Sequence, residues 1–188
     1  PEMMMTPNSA ETTCCHPMSY GMRHMFLAWS LSAQVMVGIG YTAPDFTLTA
    51  HDKSEVTLSS FRGSRVVLSF FPAAFTGVCK NQVCTINDQL RSSDLENCAV
   101  LGISVDSPFS NNAFRDANGI DYPLLSDVHR QVISAYGVTY DDFVIGGYTV
   151  AQRSVFVVES DGTIGYSWYA ENPGIEPDYD ALFAHLNS

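Results

Sequence analysis

The stretch Pro72-Ala-Ala-Phe-Thr-Gly-Val-Cys79 joins a predicted strand to a predicted helix, and it decides how the chain is interpreted. The preceding run, Arg65-Val-Val-Leu-Ser-Phe-Phe71, is short, apolar and rich in β-branched and aromatic residues, which is typical of a strand buried in a sheet. After Cys79, apolar residues recur at helical spacing from Val83 to Leu90. We therefore expect Cys79 to lie in the first turn of a helix.

A cysteine in that position is predicted to be reactive. The amide groups of a first helical turn lack a carbonyl partner within the helix, and the helix dipole makes this end positive. Both effects favour thiolate over thiol, and the thiolate is the nucleophile. The alternative for Cys79 alone is a buried and inert thiol.

The composition indicates one acidic globular domain. The chain has 188 residues, of which 46% are hydrophobic, and this suits a single core. Its formal net charge is -11, and Lys53 and Lys80 are its only lysines. Nucleic acid and anionic membranes are therefore poor partners, because phosphate binding needs clustered cations. The five cysteines have no regular spacing, so a disulfide framework is not expected and a reducing cytosol is the predicted compartment.

Residues 1–35 differ from the rest and are predicted to be a leader or a disordered extension, with the folded domain spanning 36–188. Arg23 and the run Met25–Ala33 have the basic flank and short apolar segment of a signal peptide, so export is the alternative to a cytoplasmic location. That run is too short and too polar to span a bilayer. The cluster Cys14-Cys15-His16 lacks the ligand spacing of a zinc site and receives no role.

From Met36 onward the pattern predicts alternating strands and helices. A first β-hairpin is expected at 46–49 and 56–58, further strands at 66–71, 99–105 and 122–125, and helices at 79–90, 110–118, 127–136 and 179–186. Asp127 and Asp178 are expected to cap the last two helices. A last hairpin, 155–158 with 164–168, flanks the turn Ser160-Asp161-Gly162. Crossovers combined with hairpins indicate an α/β fold with a mixed central β-sheet, helices on both faces and an N-terminal β-hairpin.

The residues Pro72, Thr76 and Cys79 form the pattern Pro-x-x-x-Thr-x-x-Cys, which resembles the signature of the peroxiredoxin family. Four further segments resemble that family in the same order along the chain: 43–48, 56–63, 100–106 and Arg153-Ser-Val-Phe-Val-Val158. The resemblance covers residues 36–188 and implies a thioredoxin-like fold.

This resemblance implies a thiol-specific peroxidase for hydrogen peroxide and small organic hydroperoxides, without a metal, haem or flavin. Cys79 would attack the peroxide, and the Thr76 hydroxyl would hydrogen-bond to it. Arg153 would favour the thiolate and stabilise the developing charge, and Pro72 would shield the sulfur from water. Thioredoxin or another dithiol donor would recycle the enzyme, and family members are often homodimers.

Two residues depart from the family pattern, which often has threonine directly after the reactive cysteine and glutamate at the third position after it. Lys80 occupies the first place and favours thiolate, although a cation in the first turn opposes the helix dipole slightly. Gln82 occupies the second place and removes a carboxylate that could orient Arg153. We expect these changes to affect rate and fine geometry more than identity.

Cys84 is the candidate resolving cysteine. Its spacing from Cys79, Cys-x-x-x-x-Cys, resembles the bacterioferritin-comigratory or PrxQ-type branch, whereas Ala-Phe-Thr-Gly-Val-Cys resembles the AhpE-type branch, whose members need not have one. In an intact helix the two Cα atoms would lie about 8.6 Å apart. A disulfide tolerates no more than about 7 Å, so bonding requires local unwinding. The alternative for Cys84 is a small apolar residue packed beneath the helix.

Other interpretations stay open at this point. A one-cysteine peroxiredoxin recycled by an external thiol would not need Cys84, and a non-enzymatic redox sensor could share the fold. A thioredoxin-like disulfide oxidoreductase would want a Cys-x-x-Cys motif, which the sequence lacks. Cys98, which precedes a predicted buried strand, is expected to pack as a small hydrophobic residue.

Overall fold

The computed structural model describes residues 37–92 and 98–188. Its strands are β1 (Thr47–Ala50), β2 (Glu55–Thr57), β3 (Arg65–Phe70), β4 (Cys98–Ser104), β5 (Leu124–Ser126), β6 (Thr139–Tyr140), β7 (Val150–Ala151), β8 (Ser154–Val158) and β9 (Ile164–Tyr169). Its helices are α1 (Gly77–Ser92), α2 (Pro108–Asn118), α3 (Gln131–Ala135) and α4 (Tyr179–Leu186), with a 3-10 turn at Leu58–Phe61. The predictions made for residues 1–35, including the signal-like run and the Cys14-Cys15-His16 cluster, lie outside the described residues.

Seven strands form the central sheet, in the order β2-β1-β5-β4-β3-β8-β9. Strand β4 runs parallel to both of its neighbours, β3 and β5, whereas the other adjacent pairs are antiparallel. Parallel neighbours need a crossover connection, and α1 and α2 provide the two crossovers. The predicted mixed sheet is confirmed.

Helices cover both faces of this sheet, as predicted. Because side chains alternate along a strand, β3 contributes Val66, Leu68 and Phe70 to one apolar cluster and Val67 to another on the opposite face. Helix α3 packs in the first cluster, and α1, α2 and α4 pack in the second. The second cluster therefore fixes α1 against the sheet, directly beside the strand that leads into it.

Both predicted hairpins are present. In the first, Leu48 of β1 lies opposite Val56 of β2. In the second, the Gly162 N–H donates to the Glu159 carbonyl at 2.7 Å, and Gly162 has a φ of 85°. That left-handed conformation suits glycine, so the turn chemistry of the sequence locates this hairpin correctly.

The helix ends show where local signals work and where they do not. Asp178 accepts the Ala181 N–H as the N-cap of α4, so this expected cap is confirmed. Asp127 accepts the N–H groups of residues 131, 132 and 133 at the start of α3, although it lies three residues before the N-cap, Arg130. Helix α3 is nevertheless shorter than the predicted 127–136, because Arg130 adopts a left-handed conformation with a φ of 59° and delays the helix start. Helix α2 begins at Pro108, two residues earlier than predicted, with Ser107 as its cap.

The sequence pattern did not predict the two-stranded sheet of β6 and β7. Each strand has two residues, which is too short for an alternating pattern to show. Across residues 37–92 and 98–188, the structure contains no helix that is long and apolar enough to cross a membrane.

Candidate active site

Cys79 lies in the first turn of α1, as predicted. The helix begins at Gly77, two residues earlier than the sequence suggested, and the Lys80 N–H donates to the Thr76 carbonyl at 2.9 Å as its first backbone bond. The Cys79 side chain is 0% exposed. The thiol is therefore enclosed at the positive end of the helix, against the apolar cluster that anchors α1.

Arg153 reaches this sulfur from just before β8. Its Nη2 donates to Cys79 Sγ at 3.5 Å, although the two residues are 74 positions apart. The same guanidinium donates through Nη1 to Gln82 Oε1 at 2.5 Å, and through Nη2 and Nε to the Pro173 carbonyl at 2.7 and 3.2 Å. Arg153 is only 1% exposed, and a buried cation needs such partners. Its planar fork is thus held with one N–H directed at the sulfur.

Gln82 orients this guanidinium, which corrects the expectation drawn from its lack of a carboxylate. Besides accepting from Arg153, its Nε2 donates to Ser69 Oγ at 2.8 Å and to the Phe70 carbonyl at 3.2 Å. Among the described residues, no carboxylate lies within ion-pair distance of Arg153. The amide keeps the orienting hydrogen bond, and the positive charge beside the sulfur is left without a neutralising anion.

Thr76 and Pro72 lie on the loop that leads into α1. The Thr76 hydroxyl donates to the Ala73 carbonyl at 3.1 Å, and Pro72 is buried. Because the hydroxyl proton is used in this bond, Thr76 Oγ1 can act only as a hydrogen-bond acceptor towards a bound molecule. A small molecule that carries an O–H group would match this acceptor.

Asp106 holds the same loop and was not predicted. Its Oδ2 accepts the Ala74 N–H at 2.8 Å. Next to that contact, Phe75 has a φ of 61°, which is unusual for a bulky residue, and its ring packs edge-on against Phe114 at a centroid distance of 5.3 Å. Asp106 follows β4, which is parallel to β3, so it lies beside the loop that follows β3. The sequence signal for its role was an acidic residue directly after the predicted buried strand 99–105.

A sequence profile described as the AhpC/TSA family matches residues 39–167. The chain belongs to the AhpC/TSA family. A thiol peroxidase from Streptococcus sanguinis is 39% identical over 151 residues, which are 80% of this chain and 89% of that protein. An alkyl hydroperoxide reductase E from Mycobacterium bovis is 38% identical over 135 residues, which are 70% of this chain and 85% of that protein.

The fold of this AhpC/TSA-family chain also matches solved structures of the family. The crystal structure of peroxidoxin BcpB from Mycobacterium tuberculosis superimposes with a TM-score of 0.71 at 28% identity, covering 80% of this chain and 97% of that one. The predicted membership of the peroxiredoxins and the predicted thioredoxin-like α/β fold are therefore both confirmed.

Cys84 lies five residues after Cys79 in the same helix. Helix α1 runs from Gly77 to Ser92, so ideal helix geometry separates the two Cα atoms by about 8.6 Å. Both cysteines are free thiols, and Cys84 is half-buried against the second cluster. Burial raises the pKa of the Cys84 thiol, and the nearby Lys80 opposes that effect. The folded helix thus holds Cys84 out of bonding range, and burial disfavours its thiolate.

Cys98 sits at the start of β4 on the same face of the sheet. It is half-buried and packs against the second cluster, as expected for a small hydrophobic residue. Burial raises the pKa of this thiol as well. In the part of the chain that the structure describes, no three His, Cys, Asp or Glu side chains are grouped so as to hold a metal ion.

Proposed function

We propose that the chain is a thiol peroxidase in which Cys79 reduces hydrogen peroxide and small organic hydroperoxides. The observation that carries this proposal is the buried guanidinium of Arg153, which lies 3.5 Å from Cys79 Sγ through Nη2. A guanidinium fixed at this distance can stabilise the negative charge that moves through the reacting atoms during attack on a peroxide. The family membership adds independent support.

In the proposed reaction, the Cys79 thiolate attacks the terminal oxygen of the hydroperoxide. An S–O bond forms to that terminal oxygen, the O–O bond breaks, and the other oxygen leaves as hydroxide or alkoxide. This leaving group takes up one proton from solvent, which balances the proton that the Cys79 thiol lost on ionising. Negative charge moves from the sulfur to that leaving oxygen, so Arg153 and the first-turn amides of α1 are suited to stabilise it. Thr76 Oγ1 would accept the peroxide O–H, and Pro72 would keep water from the sulfur. The product is a sulfenic acid on Cys79.

Cys84 is the proposed resolving thiol. Its sulfur would attack the Cys79 sulfenic acid, forming an S–S bond and releasing water. A disulfide needs the Cα atoms within about 7 Å, so the start of α1 must unwind first. Thioredoxin or a similar dithiol donor would then supply two electrons and two protons to restore both thiols. We place this cycle in a reducing cytosol, and we propose a homodimer as the assembly.

A one-cysteine cycle is the second candidate, and the intact helix favours it. An unbroken α1 holds Cys84 away from Cys79, so an external thiol would meet the sulfenic acid first if unwinding were slow. Such a thiol would form a mixed disulfide with Cys79, and a second thiol would release it. Both candidates use the same first step and differ only in the fate of the sulfenic acid.

Intact-mass analysis separates these candidates. We would treat wild type, Cys84→Ser and Cys98→Ser with one equivalent of hydrogen peroxide, without added thiol, and then alkylate. If Cys84 resolves the sulfenic acid, wild type and Cys98→Ser should each form one disulfide, with two hydrogens fewer than the reduced protein. Cys84→Ser should stop at the sulfenic acid, with one oxygen more than its reduced form. If wild type also stops at the sulfenic acid, resolution by Cys84 is overturned and the one-cysteine cycle is favoured.

A further inference from the structure

The segment between β9 and α4 contacts both the cation beside Cys79 and the helix that carries Cys79. The Pro173 carbonyl accepts two hydrogen bonds from Arg153. Three residues later, Glu176 Oε1 accepts from Asn81 Nδ2 at 3.1 Å. One short segment of the chain therefore joins the guanidinium, through the Pro173 carbonyl, to the outer surface of α1, through the Glu176 side chain.

Asn81 occupies a sensitive place in this helix, because it lies between Cys79 and Cys84. Any unwinding that brings the two sulfurs together has to move the residues between them, and Asn81 is one of these. Moving Asn81 breaks its bond to Glu176. That bond therefore opposes unwinding without touching either sulfur.

Glu176 is itself held in place by the start of α4. Its second carboxylate oxygen, Oε2, accepts from the Tyr179 hydroxyl at 2.9 Å. Burial and the neighbouring Glu176 raise the pKa of Tyr179, so this hydroxyl remains a donor. Tyr179 packs against the second apolar cluster, and Pro177 is buried. Glu176 is thus a fixed anchor for Asn81.

We propose that Glu176 is a positioning residue that keeps the start of α1 folded and so slows the bonding of Cys84 to Cys79. This inference rests on the proposed function, in which Cys84 resolves the sulfenic acid. While the helix stays folded, a second hydroperoxide can convert the sulfenic acid to sulfinic acid, transferring one oxygen and leaving as water or an alcohol. Glu176 would therefore set how the sulfenic acid divides between disulfide and over-oxidation.

The test measures the two steps separately in Glu176→Ala. After mixing with hydrogen peroxide, samples are acid-quenched over time and weighed intact, which gives the rate of Cys79 oxidation and the rate of disulfide formation. We expect disulfide formation to accelerate about threefold to tenfold, as the loss of one solvent-exposed hydrogen bond of ordinary net strength implies. Oxidation of Cys79 should stay within about twofold, as for most surface substitutions.

Two matched variants accompany it. Glu171→Ala removes a carboxylate from the same segment and should behave as wild type, since Glu171 is exposed and lies before Pro173. Glu176→Gln should restore slow disulfide formation, because an amide can accept from Asn81 and donate to Tyr179. In Glu176→Ala, a smaller fraction of Cys79 should become sulfinic acid at high peroxide, because the disulfide forms faster. If Glu176 only stabilised the fold, the ratio of disulfide to sulfinic acid would stay as in wild type.

The outcomes separate the inference from the function beneath it. If Glu176→Ala leaves both rates unchanged, or slows both together, the positioning role is overturned while resolution by Cys84 stands. If wild type forms no disulfide between Cys79 and Cys84, then the proposed resolution is wrong and the role of Glu176 falls with it.

Discussion

Gln82 Oε1 accepts a hydrogen bond from Arg153 Nη1 at 2.5 Å, so a neutral amide holds the cation that faces the Cys79 sulfur. Both side chains are buried, and Gln82 is fixed in turn by Ser69 and the Phe70 carbonyl of β3. Strand β3 thus helps to orient the guanidinium through Gln82, together with the Pro173 carbonyl. Each member of this chain of contacts can be tested separately.

Replacing Gln82 with leucine should slow peroxide reduction and weaken the fold. The change leaves Arg153 Nη1 and the Phe70 carbonyl without their partner, and a buried unsatisfied group costs about 1–3 kcal/mol. We expect a corresponding fall in the free energy of unfolding, measured with urea, and a rate of Cys79 oxidation about tenfold lower by stopped flow. A Gln82→Leu protein with the wild-type rate would show that Gln82 does not orient Arg153.

Replacing Arg153 with lysine should slow the reaction by about tenfold to a hundredfold, because hydrogen bonds to charged groups are worth about 1.5–3 kcal/mol. Lysine keeps the charge but replaces the rigid planar fork, whose separate nitrogens bond to Gln82, Pro173 and Cys79, with one compact ammonium on a flexible chain. The matched control is Arg65→Lys, which disrupts a similar fork between Glu159 and the Leu186 carbonyl. Equal rates in the two variants would contradict the role given to Arg153.

Replacing Asp106 should test whether the loop before α1 needs its anchor. Asp106→Ala frees the Ala74 N–H and should reduce the rate of Cys79 oxidation about threefold to tenfold, because a typical hydrogen bond contributes about 0.5–1.5 kcal/mol net. Asp106→Asn keeps an acceptor oxygen and should remain close to wild type. The comparison is made by stopped flow at equal folded fraction. An Asn variant as slow as the Ala variant would mean that the charge of Asp106, not its bond to the loop, matters.

The thiol of Cys84 should be alkylated slowly in the folded protein. Burial disfavours the thiolate and raises the pKa of Cys84, so its reaction with iodoacetamide should still be increasing above pH 8.5, about where an ordinary cysteine is half ionised. The measurement uses Cys79→Ser and follows the peptide that contains Cys84 by mass spectrometry, with the urea-unfolded chain as reference. A rate that levels off at or below the pH found for the unfolded chain would contradict the structure.

Much of the fold follows from local signals in the sequence. The Ser160-Asp161-Gly162 turn, the Asp178 cap and the buried run that became β3 each depend on neighbouring residues, and each was predicted correctly. The pair β6 and β7 was missed because two residues per strand carry no period. The late start of α3 was missed because nothing in the sequence marks Arg130 for a left-handed conformation.

The site was only partly predictable, for a different reason. The spacing of Pro72, Thr76 and Cys79 is local, and Arg153 was found through the family resemblance. The Pro173 contact uses a backbone carbonyl, which every residue possesses, so no side-chain pattern could reveal it. The bond between Glu176 and Asn81 joins residues 95 positions apart and depends on where the sheet places α4.

The most direct test of the account is the consumption of hydrogen peroxide by Cys79→Ser. The substitution changes one buried sulfur to oxygen, and Cys98→Ser is the matched control on β4. We predict that Cys79→Ser loses peroxidase activity while Cys98→Ser retains it, with both proteins folded as judged by circular dichroism. Consumption of peroxide by Cys79→Ser at the wild-type rate would contradict the central claim.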